Sequence, residues 1–209
     1  MKRKPLFLLL LLIPAVLAAV LLFPRLTGDT VFRQPEILIG HAVGDENGQL
    51  HGGKAGDQTG SEIRTETRKS NSFTAVLRAG EPEQAERIAA TMEAACANDC
   101  IGYDQYNRTS LYRKAKKAHW AIDTVSKPCE TDCSALVAVC VNAAGIKVSK
   151  DVYTGNLLEQ LMATGKFELL DDAEYIGNIA NLRRGDILLK KGHTAVVLKE
   201  TEEKEKSGD

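Results

Sequence analysis

Short apolar runs and longer stretches of helical periodicity alternate along this chain. The apolar runs predict β-strands at residues 36–43, 73–77, 167–170, 187–189 and 195–198. Apolar positions with the spacing of one helix face predict helices that begin near Pro82, Asn107 and Tyr153. A continuous apolar run from 135 to 144 predicts another helix, buried on all sides, that ends near Gly145. Together these elements predict an α+β fold in which helices pack on an antiparallel sheet.

The first 24 residues predict a membrane segment. Residues 1–4 are basic and residues 5–24 are almost wholly apolar, and a span of about 20 apolar residues is what crosses a bilayer. Basic residues favour the cytoplasmic side, which places the rest of the chain outside the cell. We therefore expect an uncleaved, single-pass anchor at 1–24 and a linker at 25–35. The alternative is a signal peptide cleaved after Ala18, which would make the domain a secreted one.

Composition limits the number of domains and the kinds of partner. With 209 residues, of which 44% are hydrophobic and 26% charged, the chain predicts one globular domain, at residues 36–199. The net charge of -1 gives no reason to expect nucleic acid as a partner. Residues 200–209 are almost all charged, and we expect them to form a disordered tail.

Five cysteines in a chain outside the cell suggest disulfides with one thiol left over. Cys96 and Cys100 lie four residues apart, as do Cys129 and Cys133, and two such pairs would also fit zinc. Structural zinc sites use shorter Cys-x-x-Cys loops more often, and no histidine has a matching spacing, so we predict no metal site. Cys140 lies inside the apolar run and is interpreted as a core residue.

Two residues sixty positions apart carry the candidate chemistry. Cys133 begins the buried helix, and His193 begins an apolar strand. The positive end of the helix dipole favours a thiolate, and a facing imidazole lowers the pKa of the thiol further. Cysteine nucleophiles are activated in this way, so we predict Cys133 as the nucleophile and His193 as its base. The alternatives are a buried structural thiol and a strand histidine that bonds to a local carbonyl.

Three short motifs occur in the order of a known family. Asp132-Cys133-Ser134 is followed by Arg184-Gly185-Asp186 and then by Gly192-His193. This set resembles the NlpC-type cell-wall cysteine peptidases. The resemblance implies a papain-like hydrolase that cuts an amide bond in peptidoglycan stem peptides through an acyl-enzyme, with no metal or organic cofactor.

A narrower resemblance extends towards the N-terminus. Gly40-His41-Ala42, Asp45-Glu46 and the stretch from Gly53 to Glu62 are similar to segments of lysins and prophage-type peptidoglycan hydrolases of gut Firmicutes. In those proteins Ile-Gly-Tyr-Asp-Gln follows, present here at 101–105, and then a cysteine-rich helix, present here at 133–140. The resemblance implies one catalytic module that includes nearly everything after the linker, with peptidoglycan as its partner.

The third catalytic group must come from an unusual place. NlpC-type enzymes usually carry a third polar residue, often a second histidine, on the strand after the catalytic one, whereas this chain continues from Leu198 into a charged tail. Our candidates are His41, Asp57 and Gln58. Residues 52–60 are rich in glycine, which lets a backbone approach another surface closely. We therefore predict that this loop folds over the cleft and supplies the missing group.

The remaining candidates line the expected cleft. Asp132 and Ser134 either face the substrate or cap the helix, and Tyr103 either lines the cleft or lies in the core. The backbone N–H groups at the start of the Cys133 helix are positioned to bind an oxyanion. A non-catalytic wall-binding or assembly module on the same scaffold is the alternative function, because a fold does not determine its chemistry. Endopeptidase and N-acetylmuramoyl-L-alanine amidase activities both fit the sequence.

Overall fold

The computed structural model describes residues 35–200, which belong to one compact unit. The expected membrane segment at 1–24 lies outside these residues, as do nearly all of the linker and of the charged tail. Between residues 35 and 200, no helix is both long enough and apolar enough to cross a membrane.

Strands and helices alternate irregularly along the described chain. The strands are β1 (Ile37–Ala42), β2 (Ile63–Arg68), β3 (Ala75–Ala79), β4 (Ile101–Tyr103), β5 (Cys129–Thr131), β6 (Phe167–Leu170), β7 (Ile187–Lys190) and β8 (His193–Lys199). The helices are α1 (Pro82–Cys96), α2 (Ser110–Lys117), α3 (Cys133–Ala143) and α4 (Leu157–Met162), with a 3-10 turn at Ile122–Thr124.

The main sheet has six strands, in the order β2-β1-β8-β7-β3-β6, and every neighbouring pair is antiparallel. The first and last strands of the described chain, β1 and β8, are therefore neighbours inside the sheet. Strands β4 and β5 form a separate parallel ribbon, which leads directly into α3. The expected α+β fold with helices and an antiparallel sheet is confirmed.

Both faces of the sheet are covered, because neighbouring residues of a strand point to opposite sides. In β8, Val196 and Leu198 contribute to a core that includes α1 and α3. Ala195 and Val197 face a second, smaller core, which contains Ile179 and other apolar residues from the segment before β7. The apolar run that predicted a buried helix forms α3, and its residues 133–142 are all buried.

Three strands and one helix start differ from the sequence-based expectations. None of β2, β4 and β5 is predicted from the sequence. The predicted helix start at Tyr153 is wrong, since α4 begins at Leu157. The backbone N–H of Tyr153 donates to Asn156 Oδ1 (2.8 Å), and this contact closes a turn ahead of the helix.

The turn at 184–186 fastens α1 to the sheet. The guanidinium of Arg184 donates hydrogen bonds to the carboxylates of Glu86 and Glu93, both on α1. Asp186 is buried and accepts two hydrogen bonds from Arg78 of β3, at 2.8 and 2.7 Å. The Arg184-Gly185-Asp186 motif, which is part of the resemblance to a peptidase family, therefore joins α1 and β3 through hydrogen bonds.

Candidate active site

An acidic cap holds the start of α3. Asp132 Oδ1 accepts hydrogen bonds from the backbone N–H of Ala135 (2.7 Å) and from the hydroxyl of Ser134 (2.9 Å). Arg108 forms an ion pair with the same carboxylate and donates to Ser134 Oγ (3.0 Å). Asp132 and Ser134 thus make the contacts of a helix cap. Their arrangement fixes Cys133 as the first residue of α3.

The thiol of Cys133 is buried, with 6% of the residue exposed. Burial, and then the negative charge of Asp132, raise the pKa of this thiol to about 11. Three groups lower the pKa but do not outweigh burial: the backbone N–H groups of Thr194 and Ser134 and the charge of Arg108. The sequence suggested a stabilised thiolate, whereas the folded chain favours a neutral thiol at neutral pH.

Glu66, His41 and His193 form a row across β2, β1 and β8. Gly40 opposes Val196 in the β1–β8 register, so His193 is a diagonal neighbour of His41 on the same face of the sheet. His41 Nδ1 lies 2.9 Å from His193 Nε2, within hydrogen-bond distance. On its other side, His41 Nε2 lies 3.3 Å from Glu66 Oε2. This approach is close, although its geometry is not that of a formed hydrogen bond.

The two imidazoles are held in their neutral forms. Burial, followed by repulsion from His193, lowers the pKa of His41 to about 4, against the opposing effect of Glu66. Burial also lowers the pKa of His193, and the charges of Lys190 and Arg68 lower it further. A neutral His193 has a free lone pair on one ring nitrogen and is able to accept a proton.

The thiol reaches the backbone at the start of β8, whereas the histidine row lies on the other face of the sheet. Phe73 of the smaller core stacks on His193, with ring centroids 6.0 Å apart, which puts the row on the face away from α3. The thiol interacts with the backbone N–H of Thr194, the residue directly after His193. No hydrogen bond between the thiol and the His193 ring is found within the described chain.

The glycine-rich loop is organised by Asp57. Its carboxylate accepts four backbone hydrogen bonds, from residues 59, 61, 62 and 63, at 2.8 to 3.2 Å. Gln58 donates from its side chain to the carbonyl groups of Ala55 and Gly56. Both side chains therefore stabilise the loop itself. Of the three candidates for the third group, His41 is the one that contacts His193 within residues 35–200.

Two buried carboxyl groups lie beneath this loop. Glu62 accepts hydrogen bonds from the backbone N–H of Gln58 (3.0 Å) and of Tyr103 (2.8 Å). Glu130 Oε1 accepts from the backbone N–H of Gly56 (3.0 Å), while its Oε2 has no partner among the described residues. Burial raises the pKa of Glu130 to about 7, with the charge of Glu62 contributing. In the described chain, no group of three or more His, Cys, Asp or Glu side chains is arranged to hold a metal ion.

Tyr103 is a buried neighbour of the nucleophile candidate. It is 3% exposed, and its hydroxyl accepts a hydrogen bond from Gln105 Nε2 (3.1 Å). Burial raises the pKa of Tyr103 to about 12, and the nearby Cys133 and Asp132 add to the effect. Its contacts are those of a core residue that also borders the site.

Sequence reasoning missed Arg108, Glu66 and Glu130. Arg108 lies in the polar run before α2, and only its contacts with the α3 cap reveal its role. The charged alternation of Arg64, Glu66 and Arg68 is typical of one strand face and could have indicated β2. Glu130 carried no sequence signal, since its significance comes from its burial.

Comparison with known proteins gives one match. A family model described as an endolysin-like domain matches residues 39–204. No curated protein and no solved structure matches the chain.

Proposed function

Because this chain belongs to the endolysin-like domain family, we propose that it is a cell-wall hydrolase that cuts an amide bond in peptidoglycan stem peptides. In this proposal the domain is a papain-like cysteine peptidase of the NlpC type. The observation that carries it is the 2.9 Å contact between His41 and His193, on the strand whose Thr194 N–H contacts the Cys133 thiol. Coupled imidazoles whose strand contacts a cysteine are suited to move a proton once substrate brings the groups together.

The contact between the histidines determines how their protons are arranged. For His193 Nδ1 to accept the proton of Cys133, its Nε2 must carry a hydrogen and donate it to His41 Nδ1. His41 then carries its own hydrogen on Nε2, the atom that faces Glu66 Oε2. The carboxylate stabilises the positive charge that develops on the rings during proton transfer. His41 is thus the third group, with Glu66 behind it.

The reaction begins from a neutral thiol and a neutral imidazole. His193 takes the proton of Cys133 while the sulfur attacks the amide carbonyl, and backbone N–H groups at the start of α3 hold the oxyanion. The proton passes to the leaving amine, and water then hydrolyses the thioester. We expect the hydrogen bond between Cys133 and His193 to form when substrate binds, because catalytic contacts tighten in the substrate complex.

The proposal also includes export of the domain. Residues 1–24 would anchor it in the cell membrane with the domain outside, where peptidoglycan is the accessible partner. Neither a cofactor nor a nucleic acid has a part in the mechanism.

The test is digestion of purified peptidoglycan by the full-length chain in detergent, with released fragments identified by mass spectrometry. We expect Cys133→Ser to abolish release and His193→Ala to lower it by about 10²-fold or more, because each loses a group that acts on the scissile bond. His41→Ala should lower kcat by about 10²-fold with little change in KM, since it removes the group that orients His193. The fragment masses also identify the bond that is cut.

Matched controls separate chemistry from folding. Cys140→Ala removes a buried thiol from the same helix, and His51→Ala removes a histidine outside the row; both should retain turnover. Unchanged fragment release by Cys133→Ser, with the protein still folded, would show that the thiol mechanism is wrong.

A wall-binding module without catalysis is the second candidate. The observation that favours it is the buried, neutral thiol, which has no hydrogen bond to the His193 ring in the described chain. The same experiment distinguishes the two: a binding module would sediment with peptidoglycan and release no fragments.

A further inference from the structure

Cys100 and Cys129 meet where the parallel ribbon begins. Ile101 of β4 is paired with Cys129 of β5, so Cys100 immediately precedes that pair. The backbone N–H of Cys129 donates to the carbonyl oxygen of Cys100 (2.8 Å), and the Cys129 thiol lies 3.5 Å from the same oxygen. The two residues also pack against the same hydrophobic core.

The spacing of this backbone suits a covalent link. Hydrogen-bonded strands lie about 4.8 Å apart, and disulfides join Cα atoms that are roughly 4.4–6.8 Å apart. Cys129 is buried, whereas Cys100 is partly exposed and accessible to a dissolved oxidant. Cys100 is offset by one residue from the register pair and lies outside β4, so the side-chain alternation of the strand does not fix its direction. The two thiols are close enough for the charge of Cys100 to raise the pKa of Cys129.

The other three cysteines lie away from this ribbon, and two of them, Cys96 and Cys140, are close enough to interact. Cys140 is completely buried within α3, and the thiol of Cys133 contacts Thr194 at the start of β8. The sulfur of Cys96 lies beside the backbone of Gly40 in β1, where an added Cβ would come within 3.2 Å of it. All five cysteines are free thiols in this structure.

We infer that Cys100 and Cys129 form a disulfide in an oxidising environment and that Cys133 stays a free thiol. In the step itself, the Cys100 thiolate attacks an external disulfide such as oxidised glutathione and releases one glutathione thiol. The Cys129 sulfur then displaces the second glutathione thiol from the mixed disulfide. Two cysteine thiols are oxidised by two electrons in total, and one external disulfide is reduced to two thiols.

The link would hold the segments that flank the candidate nucleophile. Strand β5 leads within two residues to Cys133, and β4 ends at Tyr103. A disulfide that closes a chain loop of this kind mainly restricts the unfolded state and so raises stability. The inference does not depend on catalysis, because it requires only the ribbon geometry and an oxidant.

Peptide mapping tests the pairing directly. The full-length chain is equilibrated in a glutathione redox buffer, its remaining thiols are alkylated, and it is cut on the N-terminal side of aspartate. This cleavage isolates Cys100 in residues 99–103 and Cys129 in residues 123–131, because Asp99, Asp104, Asp123 and Asp132 flank them. We expect these two peptides to be linked, and the link to disappear on reduction.

Two controls make the result decisive. Thermal unfolding of the oxidised wild type should occur at least about 4 °C higher than that of the reduced form, and Cys129→Ser should remove this difference. Cys96→Ser should keep it. Alkylation of both Cys100 and Cys129 in the redox buffer overturns the inference, as does a link from 99–103 to any peptide other than 123–131.

Discussion

At the scale of single residues, burial changes the pKa of both partners in the proposed proton transfer. It raises the pKa of the Cys133 thiol and lowers that of the His193 imidazole, so each is neutral near pH 7. In this state the histidine is ready to act as a base and the thiol still holds its proton. The proposed enzyme therefore generates its thiolate during the reaction, with His41 and Glu66 stabilising the charge that results.

This pairing predicts how activity depends on pH. Below the pKa of His193, which lies under the ordinary value of 6.5, the imidazole is protonated and cannot act as a base. We expect kcat/KM for peptidoglycan digestion to rise with pH, with a midpoint below 6.5, and to stay level through neutral pH. A rate measured from pH 4 to 9 checks this. A midpoint above 7 would contradict the assignment of a buried, neutral His193 as the base.

The raised pKa of Glu130 predicts that the stability of the fold depends on pH. Its pKa rises from 4.5 to about 7 on folding, so the folded chain binds more protons than the unfolded chain between these values. The stability that this group contributes is present below about pH 4.5 and is lost as pH rises through about 7. In urea unfolding between pH 5 and pH 8, this group alone should remove about 2–3 kcal/mol, while the lowered pKa values of His41 and His193 act in the opposite direction.

Substitution isolates the effect of Glu130. Glu130→Gln cannot titrate, so between pH 5 and pH 8 its free energy of unfolding should rise relative to that of the wild type by about 2–3 kcal/mol. Exposed Glu159→Gln serves as the control and should follow the wild type. If Glu130→Gln shows the full wild-type dependence, another group is responsible.

At the scale of elements, the turn between Arg184 and Asp186 depends on its central glycine. Gly185 has φ +89°, in the left-handed region, and a Cβ added there would run into the carbonyl group of Ala85. The turn therefore brings its backbone against α1 at a distance that only glycine allows. Arg184 and Asp186 can then reach α1 and β3 from its two sides.

Gly185→Ala should destabilise the fold strongly. The substitution adds backbone strain and a clash with Ala85, and we expect the free energy of unfolding to fall by about 3 kcal/mol or more. Gly165→Ala is the matched control, because Gly165 has φ +65° with open space around it. It should cost only about 1 kcal/mol. If both variants lose the same free energy of unfolding in urea, the close approach of Gly185 to α1 does not contribute to stability.

The sequence predicts an element when that element has a pattern of its own, and misses it when the element depends on a distant partner. α3 and the apolar strands carry their own periodicity, so they were predicted from neighbouring residues alone. β4 and β5 have three residues each, too few to show an alternation, and each is a strand only because the other is beside it. The start of α4 depends on one side-chain contact of Asn156, which no periodicity reports.

The site was predictable only in part, for a reason that concerns the whole molecule. Cys133 and His193 were selected from the types of elements that they begin, which is local information. His41 and His193 are 152 residues apart and meet through the register of β1 with β8, which the sequence does not specify. Asp57 and Gln58 were reasonable candidates by composition, yet both side chains serve the loop that carries them.

The pairing of β1 with β8 has a consequence for when lytic chemistry becomes available. A ribosome makes the chain from its N-terminus, so His41 and then Cys133 emerge well before His193. Until β8 has been synthesised and inserted beside β1, the nucleophile has no base and the base has no partner. Under the proposed mechanism, a chain without β8 is inert towards the wall, and the cell that produces this protein is exposed to its activity only after β8 is in place.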